Sequence, residues 1–351
     1  MIQRYQFIPD TIWINGGHGW MIPLHRSDAP GKWMDICSSD DSIVTQVDDG
    51  HAVNGKGLRP TSSSTAPPVM RAMIEKLDIK SGLTVLEIGS GTGYNAALLA
   101  EIAGPGNVVT IELDKEIADH ASRALAGAGY PIRPVIRDGA LGYPERAPYD
   151  RVIATAAAQK IPYSWIHQTR PGGRLVIPWT PSFSPSGALL SLTARADGTA
   201  DGKFTDTVAF MYLRAQRPEP VWWGDDEWAG DYTETRTHMS PPGDVFFGDA
   251  DAGFALGVKL PELHPGKTVD EHRVTTLRLS HSSSGSWASF TTGTAGHQVR
   301  QHGPRRLWDE FESARQWWVQ LGRPKISRFG MTVTAEGQHV WLDSPEKVVS
   351  S

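Results

Sequence analysis

The chain has 351 residues, 39% of them apolar and 21% charged, with a formal net charge of -5. That composition is ordinary for a soluble protein of about two domains, and the mild acidity argues against a general nucleic-acid binder, which would carry a basic excess. Cys37 is the single cysteine, which excludes an intrachain disulfide and a Cys-rich metal site. The N-terminus has no apolar leader-like core and the chain no membrane-length apolar run, so a cytoplasmic protein with no membrane partner is expected.

In chain order, residues 1–60 read as irregular structure rich in Gly, Asp and Trp, with short apolar pieces at 8–14 and 42–50. A hydroxyl cluster, Thr61 to Thr65, precedes Pro67 and Pro68, and the spacing of Val69, Met70, Met73, Ile74 and Leu77 predicts a helix over 68–77. Strands are expected at 84–88, 107–112, 132–137, 149–155 and 173–178, with helices at 94–102, 115–128 and 162–169 between them. Two closing strands follow, at 188–194 and 207–213. Strands alternating with helices predict an α/β fold, a doubly wound, mostly parallel, Rossmann-like sheet, over 61–214. A linker is expected at 216–220. Residues 215–351 then read as a Trp-rich α+β extension for substrate recognition, with strands at 274–279 and 287–292, a helix at 305–321 and a hairpin at 330–342. No internal repeat is evident.

The stretch VLEIGSGTGYNAALLA, from Val85 to Ala100, carries the chemistry. A strand running into Gly89, Gly91 and Gly93 and then a helix lets backbone N–H groups approach a cofactor closely. Tyr94 occupies the place of the third glycine in a dinucleotide fingerprint. Glu87, just before the turn, would repel a pyrophosphate and suits a cationic, phosphate-free ligand such as S-adenosylmethionine. Glu112 ends the next strand, where an acidic residue accepts hydrogen bonds from ribose hydroxyls. Asp138-Gly139 follows the third, where Asp138 would bond an adenine amino group and Gly139 let the ring approach. Together these features read as a methyltransferase.

LEIGSGTGY, VTIELD, IRDGALGYPERAPYDRVIATAAA and RPGGRLVIP resemble the protein-L-isoaspartate O-methyltransferase family, in order, over roughly residues 6–213. The resemblance implies S-adenosylmethionine as methyl donor, an isoaspartyl peptide as acceptor, and an unusual order of the last strands. It also implies that Ser63, Met70, Glu87, Gly89, Ser90, Gly91, Gly93, Glu112, Asp138 and Gly139 hold the cofactor. The family's active hydroxyl falls on Thr65, where the family has serine, with Ser64 beside it; helix capping is the other reading of this cluster. Asp48 and Asp49 are expected either to touch the peptide or to form a solvated turn. No metal is expected.

TQVDDG with its serine run and the long extension further resemble an actinobacterial branch associated with ribosomally made, modified peptides such as lanthipeptides and graspetides. Members methylate an aspartate in a constrained peptide, and the ester closes to an aspartimide or opens to isoaspartate. Dedicated peptide modification is therefore the leading expectation and repair of isoaspartyl damage the alternative. A binding protein without catalysis would have lost the glycine loop or Glu112, and neither is lost. The later tryptophans are read mostly as core packing, with at most two or three touching a peptide substrate, and His281 and His297 as exposed and structural.

Overall fold

The computed structural model describes residues 2–184, 186–218, 231–237, 248–270, 274–293 and 296–350. The chain opens with β1 (Thr11–Gly17), β2 (Trp20–His25), α1 (Pro30–Cys37), β3 (Ile43–Val47) and β4 (Pro60–Ser64). These strands form one antiparallel sheet in the order β2-β1-β3-β4. A small core of Ile8, Ile12, Trp33, Cys37 and Ile43 lies beneath it. Residues 1–60 are therefore not irregular. Their apolar alternation is too short and too broken by glycine to register as strands, and pairing between strands supplies the order.

Next come α2 (Pro67–Leu77), β5 (Val85–Ile88), α3 (Tyr94–Ala103), β6 (Val108–Glu112), α4 (Lys115–Gly127), β7 (Val135–Ile136), β8 (Tyr149–Ala154), α5 (Tyr163–His167), β9 (Thr169–Trp179), β10 (Gly187–Ala194) and β11 (Ala200–Val208). β12 (Thr233–Thr237), α6 (Ala250–Lys259), β13 (His264–Val269), β14 (Thr275–His281), β15 (Ser286–Thr291), β16 (His297–His302) and α7 (Leu307–Gln320) follow. The last elements are β17 (Phe329–Val333), β18 (Gln338–Leu342) and β19 (Val348–Ser350).

The central sheet has ten strands in the order β19-β18-β17-β11-β10-β9-β8-β5-β6-β7. β7, β6, β5, β8 and β9 run parallel, and β10 and β11 continue as an antiparallel meander. Successive strand residues point to opposite faces. Leu86 and Ile88 thus enter one core with Trp165 of α5 and Phe254 of α6, while Val85 enters another with Met70, Met73 and Leu99. Helices cover both faces, as a doubly wound α/β sheet requires.

Several boundaries move, and the strand expected at 173–178 already begins at Thr169. The third strand shrinks to Val135–Ile136, because its polar flank is outside the ladder. The second closing strand is Ala200–Val208 rather than 207–213, since a tight turn, Arg195 N–H donating to the Thr199 carbonyl at 2.7 Å, starts it early. The hairpin near the C-terminus is met as expected, and its β17 pairs with β11. A five-stranded antiparallel sheet, β12-β16-β15-β14-β13, packs with α6 and α7 around Phe290, Trp308 and Phe311. Trp287, Trp308, Trp318 and Trp341 are buried here, so packing accounts for them. Trp222, Trp223 and Trp228 lie outside the described residues, as does the end of the expected linker. His281 is buried, not exposed, with Ser284 at 2.8 Å. No helix among the described residues is long and apolar enough to cross a membrane.

Candidate active site

A cavity of about 470 Å³ opens at the carboxyl ends of β5, β6 and β8, between the central sheet and β4. This is where open α/β sheets hold ligands. Gly89, Gly91 and Gly93 have φ of +91°, +51° and +85°, a region other residues enter only with strain. At Gly89 a Cβ would also lie 2.7 Å from Thr155 Oγ1, the hydroxyl that donates to the Gly89 carbonyl at 2.6 Å. At Gly93 it would press on Ala121 and Leu125 of α4, so this glycine sets helix packing and does not face the cavity.

Glu112 lines the cavity and accepts three backbone N–H bonds, from Gly91 at 3.0 Å, Leu113 at 2.9 Å and Asp114 at 3.1 Å. Burial raises its pKa despite those donors. Glu87 stands behind the loop, 0% exposed, accepting from Asn95 Nδ2 at 2.7 Å and Thr110 Oγ1 at 2.6 Å. Burial pushes its pKa up to about 7. Glu87 therefore acts on the cavity through Asn95, which does line it and whose buried Oδ1 has no partner among the described residues. Asp138 is exposed and caps Ala140 N–H at 2.9 Å; Gly139 is buried, its carbonyl held by Trp165 Nε1 at 2.8 Å. A Cβ on Gly139 would come within 2.6 Å of Ile88 Cγ2.

The hydroxyl cluster forms the facing wall. Residues 60–64 are strand β4, and α2 begins after Ala66 with no side-chain cap, so none of these hydroxyls caps the helix. Ser63 and Met70 line the cavity, and the Ser63 carbonyl lies 3.4 Å from where a Cβ of Gly91 would stand. The glycine loop and β4 thus meet across the pocket. Ser64 is buried, its Oγ and carbonyl accepting from Arg4 Nε at 3.0 Å and Nη2 at 2.7 Å. Arg4 also donates to the Ser39 and Asp41 carbonyls. Thr65 is half-buried and lines the cavity.

Sequence reasoning missed Arg4, Thr155 and the wall formed by residues 209–217. Thr155 was detectable, since it ends a parallel strand. Arg4 was not, because its partners are 35 to 60 positions away. Replacing Arg4 with Met strands buried carbonyls and is expected to cost about 2 kcal/mol. Chemical denaturation would measure this, and an unchanged midpoint would refute the clamp.

Asp48 and Asp49 sit at the rim. Asp48 accepts from the Leu58 and Arg59 N–H groups at 2.8 and 2.9 Å, holding its own loop. Asp49 takes both terminal nitrogens of Arg217, at 2.8 and 3.1 Å. Neither carboxylate lines the cavity.

The profile of the family described as protein-L-isoaspartate(D-aspartate) O-methyltransferase matches residues 53–217. A protein-L-isoaspartate O-methyltransferase of Hyperthermus butylicus is 48% identical over 124 residues, which are 32% of this chain and 52% of that protein. Pyrococcus horikoshii has one 41% identical over 150 residues, 42% of this chain and 67% of that protein. In Archaeoglobus fulgidus, protein-L-isoaspartate O-methyltransferase 2 is 45% identical over 154 residues, 43% of this chain and 69% of that protein. The chain spans about half the length of the first of these curated relatives. A solved structure titled protein-L-isoaspartate O-methyltransferase superimposes with TM-score 0.53 at 18% identity, covering 98% of this chain and 92% of that one. It shares the fold, including the C-terminal region. The chain belongs to the protein-L-isoaspartate(D-aspartate) O-methyltransferase family.

Proposed function

We propose that this protein is an S-adenosylmethionine-dependent carboxyl O-methyltransferase whose acceptor is an isoaspartyl residue of a peptide or protein. The observation that carries this reading is the meeting of β4 with the glycine loop, with Thr65 and the Glu112 carboxylate lining one cavity.

The residues present fit the cofactor. The cavity's glycines leave room for close approach, Glu112 offers a carboxylate for ribose hydroxyls, and Asn95 Oδ1 is an acceptor awaiting a donor. Bound S-adenosylmethionine supplies an electrophilic methyl group. A carboxylate is already nucleophilic near neutral pH, so the protein needs no general base. Its task is to hold a carboxylate oxygen in line and exclude water. In this reading the Thr65 hydroxyl donates to the acceptor carboxylate without protonating it. Ser64, fixed by Arg4, supports that wall, and Ser63 and Met70 flank the cofactor. Asp138 and Gly139 border the adenine end, and Glu87 positions Asn95 from behind the loop.

Replacing Asp138 with Ala is expected to weaken S-adenosylmethionine binding about ten-fold by calorimetry, the size of one lost charge-assisted hydrogen bond. Lower stability with unchanged affinity would mean that Asp138 only caps Ala140.

The C-terminal extension no longer favours a dedicated peptide, because a solved structure of isoaspartyl title has the same overall fold through that region. The test is mass spectrometry with three acceptors: an isoaspartyl peptide, its aspartyl twin and a cyclised aspartyl peptide. Methyl addition to the first alone supports the proposal. Addition to the cyclised peptide alone would replace it with modification of a constrained, ribosomally made peptide, with Thr65 as the departure that suits that acceptor.

A further inference from the structure

The cavity wall formed by residues 209–217 carries two arginines that no part of the cofactor reading uses. Arg214 and Arg217 follow β11 and are the only cations among the described residues lining the cavity. The wall is anchored where Ala157 N–H donates to the Met211 carbonyl at 2.7 Å and Leu213 N–H to the Ala157 carbonyl at 2.8 Å. Arg217 is committed, because its two terminal nitrogens both meet Asp49. Arg214 is not. Its ion pairs, with Asp49 at 3.2 Å and Asp114 at 3.6 Å, both run through Nη2.

Those two carboxylates are themselves held. Asp114 caps α4 and accepts from Gln46 Nε2 at 3.1 Å, while the Asp49 N–H donates to Thr61 Oγ1. The result is a guanidinium held through Nη2, on a side chain that lines the cavity and is 35% exposed. An N–H outside those pairs donates to a carboxylate as a charge-assisted hydrogen bond. Arg59 adds a further positive charge near Asp49.

We propose that Arg214, oriented by Asp49 and Asp114, is a specificity residue that binds a second carboxylate of the acceptor chain, beyond the one that is methylated. The favoured acceptor is thus an acidic peptide, the extra carboxylate being a flanking Asp or Glu side chain or a nearby chain terminus. This rests on the peptide-carboxyl reading above and narrows its substrate class.

The test measures direct binding to protein saturated with S-adenosylhomocysteine, so it does not depend on turnover. Four isoaspartyl peptides are compared: neutral and amidated, neutral with a free C-terminus, Glu-flanked and amidated, and Lys-flanked and amidated. The wild type is expected to bind an anionic peptide about ten-fold more tightly than the neutral amide, a charge-assisted pair in a half-exposed setting. Whether the Glu-flanked or the free-terminus peptide gains decides the source of the carboxylate.

Arg214→Gln should abolish that gain, Arg214→Lys should keep part of it, and Arg214→Glu should turn the preference towards the Lys-flanked peptide. S-adenosylhomocysteine affinity should hold in all three, which also reports that they fold. Equal binding of all peptides by the wild type, or an acidic preference that survives in Arg214→Glu, would overturn the proposal. If the acidic preference appears and switches but no isoaspartyl peptide is methylated, the anion subsite stands and the isoaspartyl reading falls.

Discussion

Thr65→Ala is expected to lower kcat for an isoaspartyl peptide about a hundred-fold, while S-adenosylmethionine affinity stays within about two-fold. The size follows from the alignment that in-line transfer demands, where one misplaced contact can cost two orders of magnitude. The direction follows from geometry. Thr65 lines the cavity, stands one residue beyond β4 and caps nothing, since α2 begins after Ala66 without a side-chain cap. Thr65→Ser should retain most of the activity, because it keeps the hydroxyl and removes only a methyl group. Stopped-flow turnover and calorimetry on the same preparations separate the two effects. A variant that loses cofactor affinity instead would make Thr65 part of the cofactor cradle.

The second large effect is on stability. Glu87 is wholly buried, and its pKa is pushed up from 4.5 to about 7, chiefly by burial and against the hydrogen bonds from Thr110 and Asn95. Between those values the folded protein keeps a proton that the unfolded chain has released. Stability linked to this group is therefore present in full below pH 4.5 and falls as pH rises through 7. At about 1.4 kcal/mol per unit the loss is about 3 kcal/mol. Glu87→Gln does not titrate, so the wild type should lose that amount relative to the variant across this window. Urea denaturation of the two ligand-free proteins from pH 4.5 to 8 measures the difference directly. Parallel curves would show that Glu87 stays ionised in the fold.

The sequence and the structure divide the site between them in an orderly way. Local spacing makes the glycine loop legible, because positive φ at Gly89, Gly91 and Gly93 is a requirement that a single residue type meets. Glu112 at the end of β6 and Asp138 just beyond β7 were legible for a related reason: they lie at strand carboxyl ends, which face the ligand in this class of sheet. Glu87 was legible as an acidic residue but not as a buried one. Its contacts with Asn95 and Thr110 come from a helix and a neighbouring strand. The hydroxyl cluster could be read as a cap or as an active wall, and only its pairing with β3, Ile43 to Ser64 and Val44 to Ser63, makes it a strand.

By itself, then, the sequence determined the alternating α/β order, the ligand loop and the family, since each depends on short-range periodicity or on residues within one turn. Tertiary structure decided everything that spans distance. It folded residues 11–64 into a sheet, brought Arg4 to Ser64, and joined β17 to β11 so that the C-terminal strands extend the central sheet. It also set Asp49 against Arg214 and Arg217 across more than 160 positions. Pairings at such separation leave no periodic trace in the chain, because charge and hydrogen-bond complementarity act through space once the backbone has closed the loop.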